Sequence, residues 1–362
     1  MNSRSIFIPA FRQFFAGMIL LVSFPLGAPA MAGEVADYLK KPDEWFVSPE
    51  GQQVAANILS WQAGSGGWPK NTDTADAPYT GERGKLGGTF DNGATTDELR
   101  FLARCVNEES LTADSAVQKY YLTAFNKGLR HILAAQYATG GWPQFFPPGK
   151  GYHRHITFND DSMVRVMVFL REVHGSDLYR FVAPEDRKAA GAAFDRGIAC
   201  ILKCQIRVDG KPTVWCAQHD ELDYSPRPAR SFELASFSGS ESVGITRLLM
   251  SIEEPGPGIV EAVEGAVAWF GKHKVTGLRA ERRRTAGGEM DLFMQADPDA
   301  PPLWARFYDL ESNKPFFCDR DGIKKPSILD LAPERRGGYA WYGTWAQSLL
   351  EKEYPKWKKN RG

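Results

Sequence analysis

The 362-residue chain has no excess of either charge: 44 Lys+Arg stand against 44 Asp+Glu. That balance leaves no electrostatic footprint for nucleic acid or an anionic membrane surface. Histidine is scarce, six residues in all. There is no His-Glu-x-x-His, and His153-x-His155 is weak as a metal pair. Five cysteines, Cys105, Cys200, Cys204, Cys216 and Cys318, cannot all pair within the chain. Cys200 and Cys204 lie four apart in a helical pattern. No second Cys or His pair stands at zinc-like spacing, so they read as small buried hydrophobes. The missing Gly-x-Ser-x-Gly elbow argues against a serine hydrolase built on His219, Asp220 and Ser240. The missing Asp-x-Asp-Asp argues against a triterpene cyclase. Alternating strand patterns are few and short.

Long hydrophobic runs are missing except at the N-terminus. There, Arg4 and Arg12 precede an apolar stretch over 14–26, and Ala30-Met31-Ala32 follows. This reads as a secretory signal peptide over 1–32, with Gly33 the first mature residue. The run is short and broken by Gly17, Pro25 and Gly27, unlike a membrane anchor. Its removal takes away two arginines and no acid. The expected mature protein, residues 33–362, is one secreted or periplasmic domain and a monomer, with no membrane contact after cleavage.

What is present is helix. Apolar residues three and four apart recur over 54–61, 95–106, 120–136, 163–173, 189–205, 242–252 and 260–270. Long Gly/Pro-rich connections separate them, and loops of that length are usually functional. The sequence also repeats. Gln62-Ala-Gly-Ser-Gly-Gly-Trp68-Pro-Lys70 is echoed 74 residues later by Gln136-Tyr-Ala-Thr-Gly-Gly-Trp142-Pro-Gln144, and Gln205 precedes Trp215 in a third version. Three times a helix closes on Gln, the chain turns on Gly, and a Trp-bearing segment follows. The pattern predicts an all-α chain of stacked helical hairpins, an α/α toroid or incomplete (α/α) barrel, with long irregular loops forming the cleft.

Four patches depart from an ordinary helical surface. Phe90-Asp91-Asn92-Gly93-Ala94-Thr95 and Ile156-Thr-Phe-Asn159-Asp160-Asp161 each lead a loop into a helix. Equivalent places in the repeat would bring Asp91 and Asp160 to a common cleft. Either could instead serve as a helix cap. Carboxylate and amide oxygens without thiolates suit Ca²⁺ better than Zn²⁺. Pro226-Arg-Pro228-Ala229-Arg230 holds an extended segment that aims its arginines. Arg306, Arg320 and Arg335 recur at intervals of 14 and 15 among aromatics and acids, a set suited to several carboxylates on an extended anionic ligand, or to structural Arg–Asp pairs. Glu281-Arg-Arg-Arg284 reads as a solvated loop. Aromatic residues make up 12% of the chain, compatible with rings packed on sugar faces or with a well-filled core.

Taken in order, Gly66-Gly67-Trp68-Pro69-Lys70-Asn71, the two Asp-bearing loops, Gly140-Gly141-Trp142-Pro143-Gln144, Pro228-Ala229-Arg230, Trp304-Ala-Arg306-Phe-Tyr308 and Phe317-Cys-Asp-Arg320-Asp-Gly322 resemble the pectate lyases of polysaccharide lyase family ten. The resemblance runs from about Trp61 to Trp345. It departs from the family pattern at position 232, Phe instead of Tyr, and in the double acid Asp160-Asp161. It implies a toroid catalytic domain that cleaves polygalacturonate by Ca²⁺-dependent β-elimination, giving 4,5-unsaturated products. It further implies that Asp91 and Asp160, or the neighbouring Asp161, bind the metal. Asn92 and Lys70 would stand at the substrate, Arg306, Arg320 and Arg335 would clamp uronate carboxylates, and Arg230 would act as the base. Arginine is a poor base, since its pKa exceeds about 12. Crowding by Ca²⁺ and neighbouring arginines would favour its neutral form. The competing readings are a non-catalytic pectin-binding protein and a toroid glycoside hydrolase using Asp91 and Asp160 as its acid pair.

Overall fold

Seven helices account for the periodic stretches: α1 (Pro49–Ser60), α2 (Thr96–Val106), α3 (Ala116–Ala134), α4 (Ser162–Gly175), α5 (Pro184–Cys204), α6 (Glu241–Met250) and α7 (Pro257–Lys272). The structure is a computed structural model and describes residues 35–106 and 115–361. The expected signal peptide lies outside the described residues. The helix starts follow local chemistry. Ser48 and Ser115 accept from the backbone N–H three residues on, and Pro49, Pro184 and Pro257 take the first positions of their helices. At α2, Glu98 reaches back to the backbone N–H of Thr95 at 2.7 Å, the return half of a capping box.

The helices pack as hairpins in two layers. α2 lies against α3, α4 against α5 and α6 against α7, while α2, α4, α6 and α3, α5, α7 form two successions. The repeated Gln–Trp unit ties them. Gln62 Nε2 donates to Gly66 O within its own turn at 2.9 Å and to Ala124 O in α3 at 2.8 Å. Gln136 does the same with Gly140 O and with Ala193 O in α5, at 2.9 and 2.8 Å. Gln205 does so with Thr213 O and with Ala262 O in α7, both at 2.8 Å. Trp68, Trp142 and Trp215 are fully buried, and each indole N–H donates to a carbonyl at the end of the preceding helix: Ile58, Ile132 and Ile201. The glycine of the turn is constrained as well. At Gly66 (φ 111°) and Gly140 (φ 97°), a side chain would strike the backbone carbonyl of Lys127 or Arg196.

The main core runs from Val35 to Leu349. A second cluster gathers Phe232, Leu292, Phe307, Phe316, Phe317 and Trp341 beneath the loops that follow α7. Cys200 and Cys204 are buried thiols with sulfurs 4.0 Å apart and no disulfide between them, as small hydrophobes would sit.

One expectation is corrected. Residues 281–284 are not a loop but part of strand β1 (Leu278–Arg284), paired antiparallel with β2 (Met290–Ala296). Gly288, at φ 85°, closes the turn between them. The arginine run hides the strand because most of the hairpin's apolar residues lie on the partner: Leu292 is buried in the second cluster and Met294 packs against it, with Ala280 the contribution from β1. The five-residue helix α8 (Pro333–Gly337) lies on β2, where Arg336 grips Asp291 with Nε and Nη2, both at 2.7 Å.

Candidate active site

The segments that precede α2, α4 and α6 carry the acids. Asp91–Gly93 and Asn159–Asp161 are single helical turns in contact with each other, and Ser162 Oγ, at the head of α4, donates to Phe90 O at 3.0 Å. Both turns hold residues in left-handed backbone: Asn92 (φ 54°), Asp160 (φ 51°) and Asp161 (φ 59°). Such conformations cost about 1–3 kcal/mol each and cluster where geometry serves a site.

Asp91 does not cap α2, which Glu98 serves. Its carboxylate is buried, pairs with Lys70 through Oδ2, and leaves Oδ1 without a hydrogen-bond partner. A buried carboxylate oxygen with no donor carries a desolvation cost, and a cation would remove it. Asp91 therefore fits a Ca²⁺ ligand. Asp160 is engaged on both oxygens, by Arg306 Nη2 at 3.0 Å and Asn159 Nδ2 at 2.7 Å. Asp161 turns the other way, against Gly244 of α6, where any side chain would collide with its carboxylate. Burial, with Glu241 nearby, pushes the Asp161 carboxyl up. Lys70, Asp91, Asn92, Asp97 and Arg165 line a cleft of about 550 Å³. Asn92 is exposed at its edge, its amide 3.4 Å from Asn71 Oδ1.

The four arginines, drawn from sequence positions as far apart as 230 and 335, converge on two rings. Phe232 and Tyr339 meet edge to face, with centroids 5.4 Å apart. Over Phe232 lie Arg230 (4.8 Å), Arg335 (4.4 Å) and Arg320 (5.8 Å). Over Tyr339 lie Arg230 (5.7 Å), Arg306 (5.1 Å) and Arg335 (5.3 Å). Cation–π attraction holds each guanidinium without consuming its donors. Arg306 is buried and shares Nη2 among Asn159, Asp160 and Glu241. Burial disfavours its charge, but Glu241, Tyr339 and Asp160 outweigh that and keep it firmly protonated. Arg335 is buried with Nε unpartnered; its Nη2 donates to Gly338 O at 3.4 Å and approaches Glu334 at 3.7 Å. Arg320 is 65% exposed and pairs with Glu334 at 3.0 Å. None of the three forms an ion pair with Asp309, Asp319 or Asp321, which pair with Lys324 and Lys325 instead.

Arg230 itself is half exposed and held by Glu233. Nε and Nη2 meet the carboxylate at 2.7 and 2.5 Å, and Tyr339 Oη donates to the same group at 2.7 Å. Those bonds raise the guanidinium above its ordinary pKa, outweighing the opposing effect of burial. This is opposite in direction to the neutral arginine expected from crowding by cations. Position 232 carries a phenyl ring without a hydroxyl, while Tyr339 bonds Glu233, the partner of Arg230.

The sequence pattern did not single out Glu233, Tyr339, Glu241 or Tyr152 for roles. Glu241 heads the third of the helix-leading loops, so the repeat itself was the signal available for it. Burial raises the pKa of the Tyr152 hydroxyl, with the charges of Arg230, Glu233 and Asp91 acting on it, and its ring stacks on His153 at 3.9 Å. His219 is excluded from the chemistry. It is fully buried, Nε2 accepts from Cys216 N–H, Nδ1 donates to Tyr224 O, and burial drives its pKa down to about 4. Asp220 pairs with Arg227 instead of His219, so no hydrolase triad forms. Among the described residues, His155, Asp220 and Glu221 bring possible ligand atoms within 4.8 Å of one another, but Arg154 and Arg227 already engage the two acids.

The model of the pectic acid lyase family matches residues 62–350. Among solved structures, a mutant of a family 10 polysaccharide lyase from Cellvibrio cellulosa, in complex with trigalacturonic acid, has a TM-score of 0.74 and 34% identity over 89% of this chain and 96% of that one. A family 10 polysaccharide lyase from the same organism gives 0.73 and 33%, over 89% and 95%. No curated protein sequence matches the chain. The family match spans the acid-bearing loops and the arginine cage alike, and the chain belongs to the pectic acid lyases, an enzyme of polysaccharide lyase family 10.

Proposed function

We propose that this lyase cleaves polygalacturonate by Ca²⁺-dependent β-elimination where the touching Asp91 and Asp160 loops meet the arginine cage through Arg306. The observation that carries the reading is the convergence of Arg230, Arg306 and Arg335 on Phe232 and Tyr339, with Arg306 linked directly to Asp160. A polymer with one carboxylate per sugar needs several fixed cations in a row, and the relative's trigalacturonic acid is such a ligand.

The C5 proton of a uronate lies α to its carboxylate, so its removal places further negative charge there. Bound Ca²⁺ would neutralise part of that charge, with Asp91 and Asp160 as its protein ligands and Asp161 a less favourably directed candidate. Arg306 and Arg335 supply fixed positive charge close by, and Arg320, nearer solvent, meets a sugar further along. Arg230, in its neutral form, takes the C5 proton; the electron pair left on C5 forms the C4–C5 double bond as the C4–O bond breaks, and the departing oxygen keeps that bond's pair and takes a proton from solvent. Asn92 and Lys70 contact substrate at the opposite lip. We read the stacked hairpins as an incomplete α/α toroid, supported by the recurring Gln–Trp tie, and the chain as exported behind the leader at 1–32.

The test is ultraviolet absorbance on polygalacturonate with Ca²⁺. A lyase creates a conjugated unsaturated uronate. A hydrolase releases reducing ends without that absorbance, and a binder changes neither, so either of those outcomes overturns the reading.

A further inference from the structure

We propose that Glu233 is a positioning residue for the elimination, turning Arg230 so that the Nη1 side of its guanidinium is the side offered to the sugar. The proposal rests on Arg230 being the base.

The geometry over-determines the orientation. Glu233 accepts the Nε–H and an Nη2–H of Arg230 and also its backbone N–H at 3.2 Å, while its own backbone N–H donates to Arg230 O at 2.8 Å. A fork gripped along its Nε–Nη2 edge turns its opposite side outward, the side that carries both N–H groups of Nη1 and the second of Nη2. Tyr339 Oη donates to Glu233 Oε1 and so fixes the carboxylate that fixes the arginine. Glu233 is 5% exposed, so no solvent competes for these bonds.

The same contact governs charge. The groups that face Arg230 are Glu233 and Phe232 on its own loop, Tyr339 beyond α8, and Tyr152 from the turn that leads toward the Asp160 loop. Arg320 and Arg335 share the Phe232 ring with it, and Arg306 shares Tyr339. Of these, Glu233 is the one carboxylate bonded to the guanidinium, and its bonds favour the protonated form. A base must be neutral to act. Glu233 therefore fixes the guanidinium in place while favouring its charged form over the neutral one that a base needs.

The experiment compares full-length enzyme with Glu233→Gln, Glu233→Asp and Tyr339→Phe, each on polygalacturonate with saturating Ca²⁺ across pH. In Glu233→Gln the rising limb of kcat against pH should move to lower pH by at least about one unit, because the anion beside Arg230 is gone. Its plateau kcat should fall about a hundredfold through lost alignment, with KM little changed. Glu233→Asp keeps the charge and should leave the limb in place while lowering kcat. Tyr339→Phe keeps the ring and should show a smaller loss of the same kind. An unmoved limb in Glu233→Gln, or kcat and KM falling together with melting temperature in all three, overturns the proposal in favour of a structural ion pair. The two readings fail separately. Turnover that survives in Arg230→Ala removes the base assignment. An inactive Arg230→Ala beside a Glu233→Gln with wild-type kinetics leaves the base standing and removes only Glu233.

Discussion

Lys70 occupies one carboxylate oxygen of Asp91 and leaves the other, Oδ1, buried with nothing donating to it. An acceptor left in that state destabilises the fold unless a ligand arrives. Chelation of Ca²⁺ should abolish activity on polygalacturonate, and added Ca²⁺ should restore it. Asp91→Asn, which keeps the shape and removes the charge, should raise the Ca²⁺ concentration needed for half-maximal rate by at least about tenfold. Wild-type activity in excess chelator would contradict the metal role.

The clamps should rank by burial. Arg335 is buried with a free Nε, and losing a charge-assisted contact to substrate from that position is worth about 1.5–3 kcal/mol in kcat/KM. Arg320 is 65% exposed and screened, so Arg320→Ala should cost no more than about 1 kcal/mol. Steady-state kinetics on polygalacturonate give the order directly, and an Arg320 effect larger than that of Arg335 would reverse the assignment.

Arg306 differs from both, because its loss strands Glu241, which is buried between it and Ser238. Arg306→Ala should lower stability by about 3–5 kcal/mol in addition to impairing catalysis. The double variant Arg306→Ala/Glu241→Ala should recover part of that stability and none of the activity. Chemical denaturation of the two variants separates the terms.

Arg230→Lys and Arg230→Ala should both nearly eliminate turnover while calorimetric binding of polygalacturonate persists. Lysine keeps the charge, but it loses the planar fork and moves the nitrogen. A lysine variant with near-normal kcat and a raised KM would make Arg230 a binding residue only.

Glu98 gives a stability contribution that falls as the pH rises. Burial pushes its carboxyl up to about 7 while it holds Thr74 and the Thr95 N–H. For an acid whose folded pKa lies above its unfolded one, the native state binds the extra proton, so stability falls as pH rises from the unfolded value to the folded one. The window runs from pH 4.5 to about 7, with a loss on the order of 3 kcal/mol. Glu98→Gln should therefore gain on wild type through that window and hold a constant advantage above it. A difference between the two melting temperatures that does not change with pH would count against this.

The Gln–Trp unit was legible in the sequence because its helix end, glycine turn and back-folding indole lie within ten residues in two copies and fourteen in the third. The arginines were legible because their aromatic and acidic neighbours are local. Their meeting point was not, since Phe232 and Tyr339 are 107 positions apart and nothing in either segment names the other. Glu233 stayed hidden for a different reason. In sequence, a carboxylate three residues after an arginine looks like any surface pair, and only its burial beneath Tyr339 makes it a fixed part of the site. The β1–β2 hairpin was missed because side-chain alternation on one strand is unreadable when its apolar partners sit on the other.

The direction of the glutamine ties carries a consequence for how the chain is made. Each amide reaches forward, never back: Gln62 to a carbonyl 62 residues later, Gln136 and Gln205 to carbonyls 57 residues later. No tie can close while its own turn is leaving the ribosome, because the acceptor has not yet been synthesised. Assembly thus trails synthesis by one hairpin throughout, and the segment most recently made is always the one still awaiting its partner.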